Sequence, residues 1–470
     1  MLADLTWLSK HVFYALWEIK DDSHRRQYLR ALSKSQWWKA ETFRNWQWER
    51  LREAVGYAFA HVPYYTTRYG AAGFDGTLRS WEAFQRLPLL LKQDIRENAD
   101  DLLSREYRRE DLVEARTGGS TGTALTLYFD KRCQELRNAA AMRSDQWAGW
   151  DVGMKVAAVW GNPPVADTLK KKLRNALLDR TIYLDTMDIN HRSVLRFVEK
   201  WRRTKPKMIF GHSHSIYILA KYLKELEVQD LRPVGIISTS MMLLGPERQF
   251  IEGAFGCPVT NRYGCEEVGL IACECEQHKG LHLNLDHVVA EFLREDGSVA
   301  KPGEDANIVV TDLINRGMPL IRYCVGDMGV PSDRTCACGR GHALMERVTG
   351  RQADFLKRPD GSMVAGVSLV ERTLTAIPGI EQMQLVQNEL HRVAVKLVKG
   401  KQFDEKSEDA LRREFRSVFG DAVAIEIQYV PLLDQTGAGK YRFSICNVQQ
   451  PARRSDSANT TPSTELRDRG

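Results

Sequence analysis

Short apolar segments alternate with segments of helical periodicity between residues 155 and 256 of this 470-residue chain. KVAAVWG at 155–161, KMIFG at 207–211 and VGIISTS at 234–240 have the length and composition of buried strands. The last two are followed by SIYILAKYLKELE and PERQFIEGAFG, whose apolar residues recur at helical spacing. Strand, turn and helix in repetition predict an α/β sheet covered by helices.

The rest of the chain divides into further predicted units. HVVAEFLREDGSVA, ANIVVTDLIN and MPLIRYCVGD, all after residue 286, have the alternation of paired antiparallel strands. Beyond Gly350, a strand pair split by Pro359-Asp360-Gly361 and further helix and strand patterns predict a separate α+β lid. We expect a helical segment at 1–60, a large domain at 61–350, the lid at 351–449 and a polar, disordered tail at 450–470.

Charge narrows the class of ligand. The formal net charge is +6 and the sequence pI is about 8.7, which favours anionic ligands such as nucleotides. The basic residues form no dense run with interleaved aromatic residues, so we expect no nucleic-acid partner.

The first twenty residues predict an amphipathic helix. Polar residues such as Lys10 and Glu18 interrupt its apolar pattern, so it matches neither a signal peptide nor a transmembrane segment, and we expect a cytoplasmic protein. The aromatic residues of this helix and of the segment that follows it, up to residue 48, suit either packing on the core or docking on a membrane surface or a partner. They are Trp7, Phe13, Trp17, Trp37, Trp38, Trp46 and Trp48.

A loop of glycine and hydroxyl residues, ARTGGSTGT at 115–123, lies between two strand-like segments. It lacks the lysine and the following helix of a P-loop NTPase, which excludes that class. Glycines let backbone N–H groups approach phosphate oxygens, and hydroxyls add donors. The predicted phosphate-binding residues are Thr117, Gly118, Gly119, Ser120, Thr121, Gly122 and Thr123. The alternative is a flexible hairpin tip.

Three further segments carry residues suited to a magnesium–nucleotide complex. In NRYGCEE, Tyr263 beside Gly264 offers a ring that can stack on a base, and Glu267 offers a carboxylate for Mg²⁺. Asp327, after the strand-like RYCVG, can accept hydrogen bonds from both ribose hydroxyls. Arg351 carries a planar cation suited to phosphate or ribose. A solvated turn, a capping aspartate and a surface ion pair are the ordinary alternatives.

Lys440 stands alone in the glycine loop DQTGAGKYR. Attack of a carboxylate on an α-phosphate builds negative charge on phosphoryl oxygens, and a cation inserted there stabilises the transition state. An exposed, solvated lysine is the alternative, and only the motifs upstream favour the catalytic role.

Cysteines are concentrated between residues 265 and 338, which favours a metal site over disulfides in a chain with no predicted secretion signal. Three thiols and one imidazole form a closed tetrahedral set for structural zinc. The predicted ligands are Cys275, His282, Cys336 and Cys338, and the competing ligands are Cys273, His278 and His287. A group of reduced, partly buried thiols is the alternative.

In their order along the chain, TGGSTGT, YGCEE, IRYCVGD, GRQAD and TGAGKYR resemble the motifs of the adenylate-forming superfamily of acyl-CoA synthetases. The resemblance spans about 50–445 and is greatest to the phenylacetate-CoA ligase-like branch, with its CapK-like relatives from capsule and polysaccharide gene sets. It implies an α/β fold with a mobile lid hinged near 350–354. It also implies that Tyr263 flanks adenine, Glu267 holds magnesium, Asp327 and Arg351 hold ribose, and Lys440 catalyses adenylation.

The same resemblance implies a carboxylate pocket. His212 and His214 lie at the predicted strand-to-helix turn after KMIF, where open α/β sheets bind ligands. Met241, Met242 and Cys265 would form its apolar wall. Hydrogen bonding at the helix N-terminus is favoured over a second metal site at the two histidines.

The implied reaction converts Mg-ATP and a carboxylic acid to acyl-AMP and pyrophosphate, after which a thiol, CoA, takes the acyl group. An aromatic acid is favoured by the resemblance alone. The segment FLKRPDGSMVAGVSLVER lacks the family's glycine-to-Pro-x-x-Ile-Glu run, and Ala124, Glu266 and Ala353 also depart from its pattern. An amine, hydroxyl or carrier-protein acceptor, or a scaffold without turnover, therefore stays open, as does a homodimer.

Overall fold

The computed structural model describes residues 5–116, 125–160, 168–186, 189–351, 355–360, 363–377, 379–433 and 442–448. None of the helices in these ranges is long and apolar enough to cross a membrane.

Helices dominate the first part of the described chain. The α-helices are α1 (Thr6–Leu8), α2 (Tyr14–Lys20), α3 (Arg25–Ser35), α4 (Ala40–His61), α5 (Pro63–Ala71), α6 (Trp81–Gln85), α7 (Lys92–Glu97), α8 (Lys131–Trp147), α9 (Leu169–Arg174), α10 (His191–Thr204), α11 (Ser213–Glu225), α12 (Gly245–Phe255), α13 (Gly366–Ala376) and α14 (Glu405–Phe419). Two π-helical turns, Ser9–Phe13 and Asn175–Asp179, continue α1 into α2 and extend α9. A 3₁₀ turn spans Arg109–Asp111.

The strands form one large sheet and three small ones. In chain order they are β1 (Val113–Arg116), β2 (Thr126–Phe129), β3 (Val156–Trp160), β4 (Thr181–Asp185), β5 (Met208–His212), β6 (Gly235–Thr239), β7 (Val259–Cys265), β8 (Gly269–Glu274), β9 (Leu281–Leu283), β10 (Val288–Leu293), β11 (Ala306–Asp312), β12 (Tyr323–Pro331), β13 (Leu344–Arg351), β14 (Phe355–Lys357), β15 (Met363–Ala365), β16 (Ile380–Glu389), β17 (Arg392–Lys399), β18 (Ala424–Tyr429) and β19 (Ser444–Cys446).

The large sheet has eleven strands in the order β10-β11-β12-β13-β9-β8-β7-β6-β5-β3-β4. From β7 to β4 neighbouring strands are parallel, and from β7 to β10 they are antiparallel. The parallel strands are the apolar segments that alternate with helices in the sequence, because a parallel strand needs a helical crossover to its neighbour. The predicted α/β fold, with paired antiparallel strands after residue 286, is confirmed.

Three apolar cores support these layers. The antiparallel part packs around Tyr323 and Phe129, the parallel part around Ile209 and Phe255, and the four-stranded sheet β18-β17-β16-β19 around Phe415. That last sheet, with α13 and α14, forms an α+β unit. The predicted boundaries at 60, 350 and 449 stay predictions.

Pro63 begins α5, because the first position of a helix needs no N–H donor. One detail differs from the sequence expectations. Asp327 was expected to follow a strand, but it lies within β12. Gly326, with φ +85°, lies in the irregular part of the β11–β12 register, so the strand continues past the predicted turn.

Gly341 lies where the N-terminal helices pack on the large domain, so its substitution tests this packing. A Cβ at this position would lie 1.8 Å from the carbonyl oxygen of Trp38, and the Gly341 N–H donates to the Gln36 carbonyl at 3.0 Å. We expect Gly341→Ala to lower the free energy of unfolding by about 2–3 kcal/mol, because backbone must move on one side. Urea unfolding followed by circular dichroism measures this.

The matched control is Gly253→Ala within α12, where a Cβ would meet no atom within 4 Å. It should leave stability unchanged or raise it by up to about 1 kcal/mol, because alanine favours the helix. Equal stability of the Gly341→Ala variant and the unmodified protein would contradict the described packing.

Candidate active site

The β7–β8 hairpin carries three of the predicted site residues, Tyr263 and Gly264 in β7 and Glu267 in the turn. A Cβ on Gly264 would lie 2.4 Å from the carbonyl oxygen of Gly269, so only glycine fits there. Gly269 itself has φ +78°, a conformation that side chains rarely adopt. The segment is thus a tightly packed hairpin and not a solvated turn.

Tyr263 and Asp327 meet although they are far apart in the sequence. The Tyr263 hydroxyl donates to Oδ2 of Asp327 at 2.9 Å. Asp327 is the register partner of Arg351 across the β12–β13 pair. The structure therefore brings three predicted nucleotide-binding positions to one place, with Arg351 described by its backbone only.

Glu267 is buried, with 4% of its surface exposed. Its Oε1 accepts a hydrogen bond from the Tyr323 hydroxyl at 2.8 Å and lies 3.6 Å from Nζ of Lys92. A buried carboxylate requires such compensation. Burial, with Glu267 beside it, raises the pKa of the Tyr323 phenol, so the phenol stays protonated and donates.

Lys92 and Tyr323 were not predicted as site residues. Tyr323 lies inside the IRYCVGD motif, so its position near Asp327 in the sequence could have indicated a site residue. Lys92 begins α7 after the apolar run LPLLL. A single lysine in this context does not indicate from the sequence that it contacts Glu267. The backbone of Leu90 pairs with Tyr323 in an isolated bridge, which brings Lys92 to Glu267.

The predicted carboxylate pocket lies at the carboxyl ends of β3 and β5. His212 ends β5, and its ring centroid is 4.2 Å from that of Trp160 at the end of β3. His214, in the first turn of α11, places Nδ1 2.6 Å from Oε1 of Glu247, and both side chains are buried. This pair places two buried polar side chains beside the end of β5.

The α+β unit contacts this pocket directly. Phe443 packs edge-on against the His214 ring at 6.1 Å between centroids, and Lys221 bonds Glu381 at 2.9 Å. Met241 and Met242 pack on the core of the α+β unit. Cys265 instead packs on the core of the antiparallel strands, so the expected apolar wall is divided between two clusters.

The predicted phosphate-loop residues 117–123 and Lys440 lie outside the described residues. The segments that flank the loop, β1 and β2, pair as an antiparallel hairpin. Phe443, three residues beyond Lys440 in the sequence, is described and packs on the His214 ring.

The four predicted metal ligands converge. Ligand atoms of Cys275, His282, Cys336 and Cys338 all lie within 4.8 Å of one another. Sγ of Cys275 is 3.6 Å from Sγ of Cys336, and Sγ of Cys338 is 3.4 Å from Nε2 of His282. A tetrahedral zinc ion with Zn–S near 2.3 Å requires ligand separations of roughly 3.5–3.8 Å, so the donor set fits that ion. The cluster excludes Cys273, His278 and His287.

Backbone donors contact two thiols of the cluster, and burial acts on its histidine. The backbone N–H groups of Gln277 and Arg340 donate to Sγ of Cys275 and Cys338 at 3.5 and 3.4 Å. Burial lowers the pKa of His282 to about 4, which keeps the imidazole neutral. Its Nδ1 lies 3.3 Å from the His342 carbonyl, so Nδ1 carries the proton and Nε2 offers its lone pair to the cluster.

A buried polar network lies behind the cluster and was not predicted from the sequence. Arg143 is 1% exposed and donates to Asp286 at 3.0 Å and to Asn284 at 2.5 Å. It also lies 3.0 Å from Nε2 of His342, the residue whose carbonyl orients His282. These residues join α8 to the antiparallel strands beside the cluster.

Comparisons with known proteins agree with this geometry. Residues 356–447 match the model of the CapK C-terminal domain. Protein CapK of Staphylococcus aureus is 24% identical over 411 residues, covering 85% of this chain and 88% of that protein. Phenylacetate-coenzyme A ligase of Thermus thermophilus is 27% identical over 355 residues, covering 72% and 77%. The resemblance to the phenylacetate-CoA ligase-like branch of the adenylate-forming superfamily is confirmed.

Solved structures of the superfamily share the fold. 2-Hydroxyisobutyryl-CoA ligase in its postadenylation state, in complex with an acyl-AMP, superposes with a TM-score of 0.67 at 18% identity, covering 85% of this chain and 88% of that one. The same ligase in its thioesterification state gives 0.56.

Substitution of Arg143 tests how much the buried network behind the cluster contributes to stability. We expect Arg143→Met to lower the free energy of unfolding by about 3–5 kcal/mol, because it leaves the Asp286 carboxylate buried with no guanidinium partner. Chemical denaturation measures the change. Arg79→Met, which removes the exposed Arg79–Asp75 pair, is the matched control and should have no measurable effect. Equal effects of the two substitutions would show that the network contributes nothing.

Proposed function

We propose that this protein is an ATP-dependent, AMP-forming acid–thiol ligase that acts in the cytoplasm. The observation that carries the proposal is the convergence of Tyr263, Asp327 and Glu267 beside the carboxyl end of β7, on the fold of the adenylate-forming CoA ligases. Ligands of open α/β sheets bind outside the carboxyl ends of strands where the pairing direction changes. The relatives named as phenylacetate-coenzyme A ligases support the same reaction class.

Tyr263 and Asp327 are proposed to hold the nucleoside. The Tyr263 ring would flank adenine while its hydroxyl orients the Asp327 carboxylate at 2.9 Å. That contact uses Oδ2, and a carboxylate oxygen has further lone pairs for the two ribose hydroxyls. Arg351, in register with Asp327, would complete the ribose contacts.

Glu267 is proposed to hold Mg²⁺. Lys92 and Tyr323 fix the carboxylate through Oε1 and keep it in place in a buried setting. When bound, Mg²⁺ supplies charge that neutralises phosphate oxygens. The glycine and hydroxyl loop at 117–123 would cradle the same phosphates through backbone N–H groups.

The chemistry proceeds in two steps. A carboxylate oxygen of the acid attacks the α-phosphorus, the bond to the bridging oxygen breaks, and pyrophosphate leaves with the electron pair. Lys440 would stabilise the charge that builds on the α-phosphoryl oxygens. A thiolate, most simply that of CoA, then attacks the acyl carbonyl, and AMP leaves.

The acid is proposed to bind between His214 and the lid. His214 and Glu247 are buried together, and Phe443 of the lid packs on the His214 ring. Because Trp160 and Phe210 line the neighbouring strand ends with stacked rings, the region favours an apolar or aromatic acid. A different acceptor, an amine, hydroxyl or carrier protein, is favoured only by the altered segment after Arg351.

We also propose that the cysteine and histidine cluster binds one structural zinc ion. The cluster supplies four donors and leaves no open coordination position for substrate. Zinc there would hold the β8–β9 and β13 strands and the loop that contains Cys336 and Cys338.

A panel of carboxylic acids separates the functions. We expect carboxylate-dependent pyrophosphate release with Mg-ATP, and formation of a CoA ester when CoA is added. Lys440→Ala should reduce acyl-AMP formation at least about 100-fold while ATP affinity stays within a few fold, because its contact forms in the transition state. Lys401→Ala, at an exposed lysine of the lid, is the matched control.

Each outcome assigns one function. Pyrophosphate release without formation of a CoA ester would indicate that the acyl acceptor is not CoA. The absence of release with every acid would support a non-catalytic scaffold, and acyl-AMP formation by the Lys440→Ala variant at the unmodified rate would refute the catalytic assignment.

Metal analysis tests the zinc proposal. Elemental analysis of the purified protein should give about one zinc per chain, and Cys336→Ala should lose the metal and several degrees of melting temperature. Cys257→Ala is the control, because Cys257 lies outside the cluster. A metal-free protein with an unchanged melting temperature would refute the proposal.

A further inference from the structure

Exposed apolar side chains are concentrated on two helices. Fifteen large hydrophobic residues are exposed in the described part of the chain, and six of them lie on the continuous helix of α1 and α2 and on α9. We call these six the two-helix face. They are Trp7, Leu8, Leu16, Ile19, Leu169 and Leu173, with exposures of 63%, 38%, 59%, 78%, 83% and 56%.

Contacts between the two helices make the face one unit. Oγ of Ser9 donates to the Leu177 carbonyl, in the π-helical turn that extends α9, at 2.6 Å. The Arg180 guanidinium donates to Oγ1 of Thr6 at 3.1 Å, and the Arg174 guanidinium lies 5.9 Å from the Trp17 ring. The helices therefore lie side by side on the large domain.

The face is also cationic. The stretches 6–20 and 169–179 contain six lysine and arginine residues against two carboxylates, Glu18 and Asp179. Glu18 pairs with Arg26, and Asp179 lies 3.3 Å from Arg174. The cationic residues are Lys10, which pairs with Asp151, and Lys20, Lys170, Lys171, Lys172 and Arg174.

We propose that the two-helix face docks this protein on the surface of an anionic phospholipid bilayer. Helices with exposed tryptophan and aliphatic residues beside lysines lie in the headgroup region, where apolar side chains enter the acyl boundary and cations attract lipid phosphates. An acidic partner protein would account for the cationic residues, but it would not account for the exposed apolar side chains of Leu169 and Ile19. The combination of both features selects the lipid surface.

Docking in this way leaves the nucleotide site accessible. The extended α9 leads directly into β4, which is the last strand of the large sheet. Four strand spacings, about 19 Å, separate β4 from β7. The proposal does not depend on which acyl acceptor the enzyme uses.

Vesicle co-sedimentation of the full chain tests the proposal. We expect at least about tenfold more protein to pellet with phosphatidylcholine vesicles that contain roughly 30% phosphatidylglycerol than with phosphatidylcholine alone. Two variants should each lose about tenfold of this binding. The first is Trp7→Ser/Ile19→Ser, and the second is Lys170→Glu/Lys171→Glu/Lys172→Glu.

Matched controls change the same chemistry elsewhere on the surface and should bind as the unmodified protein does. They are Leu195→Ser/Val299→Ser and Lys200→Glu/Arg203→Glu/Lys207→Glu, all at exposed positions. Pyrophosphate release in solution should be the same in all four variants, which shows that each is folded.

Equal binding to neutral and anionic vesicles, or no binding to either, would overturn the proposal. It would also be overturned if sedimentation velocity showed a dimer that the two face variants dissociate, because a second copy of the chain would then cover the face.

Discussion

β7 pairs with its two neighbours in opposite directions, and this double role positions the site. Val259–Asn261 pair in parallel with β6, whereas Arg262–Cys265 pair antiparallel with β8. The second half of β7 therefore extends beyond its contact with β6. Ion pairs hold the junction, since Arg262 bonds Asp145 at 2.7 Å and Glu274 accepts from both Arg248 and the Asn261 N–H. Tyr263 lies directly after this anchored segment.

The strands, the order of the motifs and the four clustered cysteine and histidine residues could be predicted from the sequence, because each of these has a local pattern. The partners of Glu267 could not be predicted, because Lys92 lies 175 residues away and no spacing rule connects the two residues. Asp327 was assigned to the wrong local structure. A glycine precedes it, as at a turn, whereas the pairing of β12 with β11 and β13 overrides that local preference and continues the strand.

The carboxylate pocket and the lid share one set of contacts. Leu244, which precedes α12, is fully buried in the core of the lid, and Met241 and Met242 pack on the same core. Phe443 meets His214, so the α+β unit contacts the proposed pocket directly. Under the proposed function, a lid that moves between adenylation and thiol transfer would therefore also change the pocket wall. This coupling would tie the transfer of the acyl group to the movement of the lid.

The position of the cysteine cluster argues for a structural role of any metal held there. β8 connects the two sites, because Gly269 begins it beside the nucleotide residues and Cys275 follows its last residue. Six residues of extended strand span about 20 Å, too far for an ion with four protein ligands to reach a phosphate. The same loop holds Arg340 stacked between Trp37 and Trp147 and Gly341 against Trp38. A metal in the cluster would thus fix the N-terminal helices on the sheet and leave the chemistry to the residues at the other end of β8.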